Sequence, residues 1–105
     1  NHVVTWSGTS KPSSETPLVL ELFETFPDKT VIVHGHCKDI TYSNKTLKYN
    51  SREYLRYGEW GELHKIKHVI NEYQKGIMKL HGEIIMANSF DQALTMYYDM
   101  YKETL

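Results

Sequence analysis

Residues 16–35 read Thr-Pro-Leu-Val-Leu-Glu-Leu-Phe-Glu-Thr-Phe-Pro-Asp-Lys-Thr-Val-Ile-Val-His-Gly, and the fold expected for the whole chain grows from them. Thr16 before Pro17 is an N-cap followed by proline at the first helical position, and Leu18, Val19, Leu22, Phe23 and Phe26 recur at helical spacing. This predicts a helix over 17–26. Pro27-Asp28-Lys29 stops it, and Thr30-Val31-Ile32-Val33-His34 is then a continuous apolar, β-branched run ending at Gly35, the pattern of a strand buried on both faces. Upstream, His2-Val3-Val4-Thr5-Trp6 reads as another short strand that enters a polar loop over 7–14, punctuated by Gly8 and Pro12. Strand, helix and strand make a β-α-β unit.

Downstream, Ile40-Thr41-Tyr42 and Thr46-Leu47-Lys48-Tyr49 alternate around a Ser43-Asn44-Lys45 turn, as two short strands would. From about Glu59, the residues Leu63, Ile66, Val69, Ile70, Tyr73, Ile77 and Leu80 fall on one helical stripe, with His64, Lys67, His68, Asn71 and Lys75 off it. The end of this helix has two readings. Either Gly76 caps it and 77–80 pairs with 83–87 through His81-Gly82, or it runs on to Gly82; the continuing stripe favours the longer helix. Glu83-Ile84-Ile85-Met86-Ala87 reads as a buried strand. Ser89 with Gln92 three residues on is a capping-box pattern, and Phe90, Ala93, Leu94, Tyr97 and Tyr101 form the apolar face of a last helix. Alternation of this kind predicts an α/β fold, small and Rossmann-like, with a mostly parallel sheet flanked by helices; an α+β ferredoxin-like antiparallel sheet is the rival.

The 105 residues have the size of one domain, so 1–105 is expected to be a single α/β domain with its own core. With 40% hydrophobic and 24% charged residues and a net charge of −1, the chain is neither a polyelectrolyte nor a disordered one. Near-neutral charge argues against bulk nucleic-acid binding, because few counterions would be released from a phosphate backbone. No apolar run approaches the ~20 residues of a membrane helix. Cys37 is the single cysteine, which excludes an intrachain disulfide and points to a reducing compartment, the cytoplasm by default.

In an open parallel sheet, ligands bind beyond the carboxyl ends of strands, where loops present backbone N–H groups. Two segments qualify here: Trp6-Ser7-Gly8-Thr9-Ser10-Lys11 and His34-Gly35-His36-Cys37-Lys38-Asp39. From Val3 to Lys38, with Val-Val-Thr-Trp-Ser-Gly, a helix, and Thr-Val-Ile-Val-His-Gly-His-Cys-Lys, the chain resembles the opening of the SLOG superfamily of Rossmann-like nucleotide-binding proteins. The resemblance places Ser7 at the family's first-loop serine, Gly35 at its first strand-end glycine and Lys38 at its basic residue. The chain departs from the pattern at Trp6, His36 and Asp39, each of which stands where the family has glycine. The resemblance implies a nucleotide-like small-molecule ligand at a sheet edge formed by Trp6, Ser7, Gly8, Thr9, Lys11, Gly35, His36 and Lys38. Lys11 and Lys38 would offset phosphate charge and Trp6 would stack on a base.

Other chemistries find less footing in the residues. His34-Gly35-His36-Cys37 brings soft and borderline donors together, but a structural zinc site needs four ligands and no second cysteine exists, so no metal or cofactor is assigned. His64 and His68 share a helix face without the glutamate of a His-Glu-x-x-His metalloprotease motif. Cys37 beside His36 and Lys38 has the surroundings of an activated thiol, yet no oxyanion hole or triad can be assigned, and no catalytic residue is named. The alternative function is a small protein-interaction, inhibitor or assembly protein, or a homo-oligomer, working through the aromatic and methionine side chains of the last helix. Tyr98 is its first candidate, because Tyr97 and Tyr101 lie on the stripe that packs against the sheet.

Overall fold

The computed structural model describes residues 7–11 and 13–105, so the strand expected over 2–6 lies outside the described residues. The first element is helix α1, Thr16–Thr25, entered one residue earlier than its sequence signals imply. Glu15 is the N-cap; Ser13 Oγ accepts the Glu15 N–H at 3.0 Å, and the Thr16 hydroxyl donates to the Ser13 carbonyl at 2.6 Å. Pro17 therefore sits inside the first turn, where its missing N–H costs nothing. Strand β1 (Val31–Gly35), the single-turn helix α2 (Lys38–Thr41) and a 3-10 segment (Asn44–Tyr49) follow. After a long irregular stretch come a 3-10 turn (Leu63–Lys65), helix α3 (Lys67–Tyr73), strands β2 (Lys75–Met78) and β3 (Gly82–Ala87), and helix α4 (Phe90–Lys102).

The expected parallel, Rossmann-like sheet is overturned. Three strands lie in the order β1-β3-β2, and both pairs are antiparallel, from Val31↔Ala87 to Gly35↔Glu83 and from Lys75↔Ile85 to Met78↔Gly82. The fold is α+β, compatible with the antiparallel alternative. The deciding element is the β2–β3 hairpin. Three residues join its strands, too few for the crossover that parallel neighbours require. The long helix expected from Glu59 to Gly82 is broken twice: the 3-10 turn ends at Lys65, and α3 ends at Gln74, whose φ of 57° is left-handed. Gly76 is not a cap but a strand residue. A Cβ there would lie 2.9 Å from Ile66 Cδ1, so its lack of a side chain lets β2 lie against the isoleucines of this region. The two strands expected within 40–49 are also corrected, being α2 and the 3-10 segment; Thr46 Oγ1 donates to the Ile40 carbonyl at 2.8 Å and closes this stretch on itself.

All six residues of β3 are buried, as a central strand covered on both faces must be. β1, expected to be equally buried, is half-buried throughout, because among the described residues it is an edge strand. Ile32, Ile84 and Met86 join Leu18, Leu22, Ile66 and Ile70 in the main core; Val31, Val33, Ile85 and Ala87 pack with Ala93, Met96 and Tyr97 of α4. Each fully buried Ile, Leu or Met is worth about 1.5–3 kcal/mol of transfer free energy. α4 begins as the sequence signals require, with Ser89 Oγ accepting the Gln92 N–H at 3.1 Å, while the Gln92 side chain accepts from Asn88 rather than from Ser89. Its apolar face is narrower than expected: Phe90 and Leu94 are exposed, and Met100 is buried instead. Among the described residues, no helix is long and apolar enough to cross a membrane.

Candidate functional site

Alternation along β1 sends Val31, Val33 and Gly35 to the α4 side of the sheet and Ile32 and His34 to the other, and His36 continues the second series just past the strand. The β1–β3 ladder ends at Gly35↔Glu83, and the hairpin turn before β3 carries His81 to the same corner. The three imidazoles meet there. His34 and His36 are edge to face with centroids 4.5 Å apart, His34 and His81 are edge to face at 5.1 Å, and His36 and His81 stack at 5.2 Å. One nitrogen from each ring lies within 4.8 Å of the others.

Two of the ring nitrogens are committed to backbone carbonyls. His34 Nδ1 is 2.9 Å from the Glu83 carbonyl and His36 Nδ1 is 2.9 Å from the His81 carbonyl. A carbonyl oxygen only accepts, so both rings carry their proton on Nδ1, and Nε2 is the lone pair each neutral ring can offer. A carbonyl holding the far N–H is the usual outer partner of a metal-bound histidine. His81 is buried, and neither of its ring nitrogens has a hydrogen bond; the same is true of His34 Nε2. Glu15 Oε1 lies 3.2 Å from His81 Nε2, and the Tyr57 ring covers His81 at 4.3 Å between centroids. Burial lowers the His81 pKa below its ordinary value, helped by the charges of His34 and His36 and opposed by Glu15. A neutral ring is what a metal ion binds.

Behind the histidines, on the α4 side, Glu83 is fully buried. Its Oε1 accepts the Cys37 N–H at 2.7 Å and the Tyr97 hydroxyl, and its Oε2 accepts the Thr41 hydroxyl at 2.9 Å. Burial, and then the Glu83 carboxylate, raises the Tyr97 pKa, so the phenol stays a donor. Gly35 makes this packing feasible, because a Cβ at that position would collide with the Tyr97 hydroxyl and crowd Glu83 Oε1 at 2.9 Å. The carboxylate thereby ties together the end of β1, α2, β3 and α4 directly beneath the histidine corner.

Trp6 lies outside the described residues; Ser7, Gly8, Thr9 and Lys11 are exposed, and Gly8 has open space around it. Gly35 faces Tyr97 and Glu83. Lys38 is exposed at the start of α2 and borders an open cleft of about 460 Å³ with Asp39, Tyr42, Ser43, Tyr101, Thr104 and Leu105. Of the expected set, only His36 enters the histidine corner. Cys37 is half-buried and packs against the main core, and its backbone N–H rather than its thiol serves the Glu83 network. His64 and His68 are exposed on separate elements, the 3-10 turn and α3.

Sequence reasoning found the donors of 34–37 but missed His81, which lies 45 residues from His36. The available signal was the hairpin reading of 77–87, which places His81 in a turn beside a strand end. Family models, curated proteins and solved structures were each compared with the chain, and none matches it.

Proposed function

We propose that this domain binds a divalent transition-metal ion of the zinc type through His34, His36 and His81. The observation that carries the reading is the convergence of three imidazoles, two of them oriented by carbonyl partners, at one corner of the sheet. Imidazole suits zinc, copper, iron and nickel, and three such donors are a common zinc-binding set. In tetrahedral coordination with bonds of 2.0–2.1 Å, ligand atoms are roughly 3.3 Å apart. Drawing nitrogens within 4.8 Å to that separation needs side-chain adjustment at a turn, not a rearrangement of the sheet. Glu83 makes the corner rigid, and Tyr57 limits the approach of water to His81.

The test is calorimetric titration of the metal-stripped protein with Zn(II), alongside His34→Ala and His81→Ala. One ion per chain is expected, with at least about tenfold weaker binding in each variant, since even outer partners of metal ligands are worth 10–100-fold. Stoichiometric binding that both variants retain, or no binding by a folded wild-type sample, refutes the reading.

A second reading, contact with another protein, has its own observation. Phe90, Leu94 and Tyr98 recur every fourth residue on α4 and are 61%, 47% and 61% exposed, an apolar stripe at the surface with the Lys102 ammonium over the Tyr98 ring. Leu94→Asp would change the sedimentation of the protein if this stripe held copies together, and would leave it unchanged if the chain is monomeric.

A further inference from the structure

Building on the metal-binding reading, we infer that Glu15 is the fourth ligand, so that the centre is a closed three-histidine, one-carboxylate site joining the head of α1 to the end of the sheet. Glu15 Oε1 and His81 Nε2 are 3.2 Å apart, yet neither ring nitrogen of this buried histidine has a hydrogen bond of proper geometry. That separation is also close to the roughly 3.3 Å edge of a tetrahedron with 2.0–2.1 Å bonds, the spacing of two ligands of one ion. The Glu15 side chain is only 16% exposed and that of His81 2% exposed, so the pair sits largely shielded from solvent.

The local chain holds Glu15 in place. Ser13 accepts its backbone N–H, and its carbonyl accepts the Val19 N–H at 3.0 Å, fixing the residue at the first turn of α1 with its carboxylate against the hairpin turn. One carboxylate with three neutral imidazoles leaves a single net positive charge with a divalent ion, a modest charge for a partly buried site. With four protein ligands the centre keeps no open position of the kind a catalytic zinc site requires, so the ion serves as a clasp between α1 and the β2–β3 hairpin.

The experiment uses Co(II) as a spectroscopic substitute for zinc on wild type, Glu15→Gln, Glu15→Ala and His81→Ala, together with amide hydrogen exchange at 13–19. Wild type should show the intense visible bands of four-coordinate cobalt and gain exchange protection at the head of α1 when metal is added. Both Glu15 variants should still bind through three histidines, at least about tenfold more weakly, with an altered spectrum and no metal-dependent protection at 13–19. Cobalt affinity, spectrum and protection that are the same in Glu15→Gln and Glu15→Ala as in wild type overturn the inference and leave the three-histidine reading standing. Absence of cobalt binding by wild type overturns both, and His81→Ala, which removes a histidine while leaving the Glu15 carboxylate in the chain, separates loss of the ion from loss of the carboxylate.

Discussion

Glu83 is the residue on which the corner depends, because a buried carboxylate is tolerable only when donors surround it. Three do: the Cys37 N–H, the Thr41 hydroxyl and the Tyr97 hydroxyl. Each buried donor left without a partner costs about 1–3 kcal/mol, so Glu83→Ala should lose at least about 3 kcal/mol of unfolding free energy. Glu83→Gln should cost less than half as much. Its carbonyl oxygen can keep the two donors now on Oε1, and its NH2 would face Thr41, whose hydroxyl can turn to accept. Urea denaturation of the two variants decides this: equal losses would mean that the negative charge, not the count of hydrogen bonds, holds the network. Gly35 belongs to the same unit. Gly35→Ala puts a methyl where the Tyr97 hydroxyl sits, and overpacking of that kind costs about 1–3 kcal/mol, measurable in the same denaturation series.

At the level of elements, the β2–β3 hairpin separates the observed fold from the expected one. Its turn residue Leu80 has φ 60° and is 59% exposed, a left-handed conformation that costs an ordinary L-residue roughly 1–2 kcal/mol and that glycine adopts freely. Leu80→Gly should therefore stabilise the protein by about 0.5–1 kcal/mol and raise the melting temperature by a few degrees. A lower melting temperature would show that the leucine packs in solution and that its backbone strain is not the controlling term. The same conformation explains what could be read from the chain. Helix α1 was legible to within a residue because proline and apolar spacing mark it, and α4 because Ser89 and Gln92 do. Strands β1 and β3 stood out as apolar runs. The end of α3 was not legible, and the hairpin stood only as the less favoured reading of 77–87, because Gln74 and Leu80 take left-handed conformations without the glycine or asparagine that normally announces them. With those stops hidden, the stripe from Leu63 to Leu80 reads as one helix. The parallel sheet and the loss of His81 from the candidate site both follow from that, since His81 reaches His34 and His36 only through the register of β3.

For the molecule as a whole, the irregular stretch between the 3-10 segment and α3 must be held down, since it supplies Leu55 to the core and Tyr57 to the face of His81. Glu62 does much of this from a nearly buried position, 3% exposed: its Oε1 accepts the Arg56 N–H at 2.7 Å and the Lys65 ammonium at 2.8 Å, and its Oε2 meets the Arg56 guanidinium at 3.1 Å. Hydrogen bonds from Arg56 and Lys65 take its pKa from the ordinary 4.5 down to about 2. A carboxyl whose pKa falls on folding binds fewer protons in the native state, so it adds stability above pH 4.5 and that contribution disappears as the pH drops through 4.5 toward 2. Glu62→Gln should be less stable than wild type at pH 7 by about 1–3 kcal/mol, the scale of hydrogen bonds to a charged group. The gap should narrow steadily below pH 4.5, as wild type becomes protonated and the glutamine does not. Urea unfolding of both proteins at half-unit steps from pH 7 to pH 2.5 measures that gap directly. A difference constant across the window would assign the role of Glu62 to packing alone, whereas convergence would show that its charge pins the loop and with it the aromatic cover over the histidine corner.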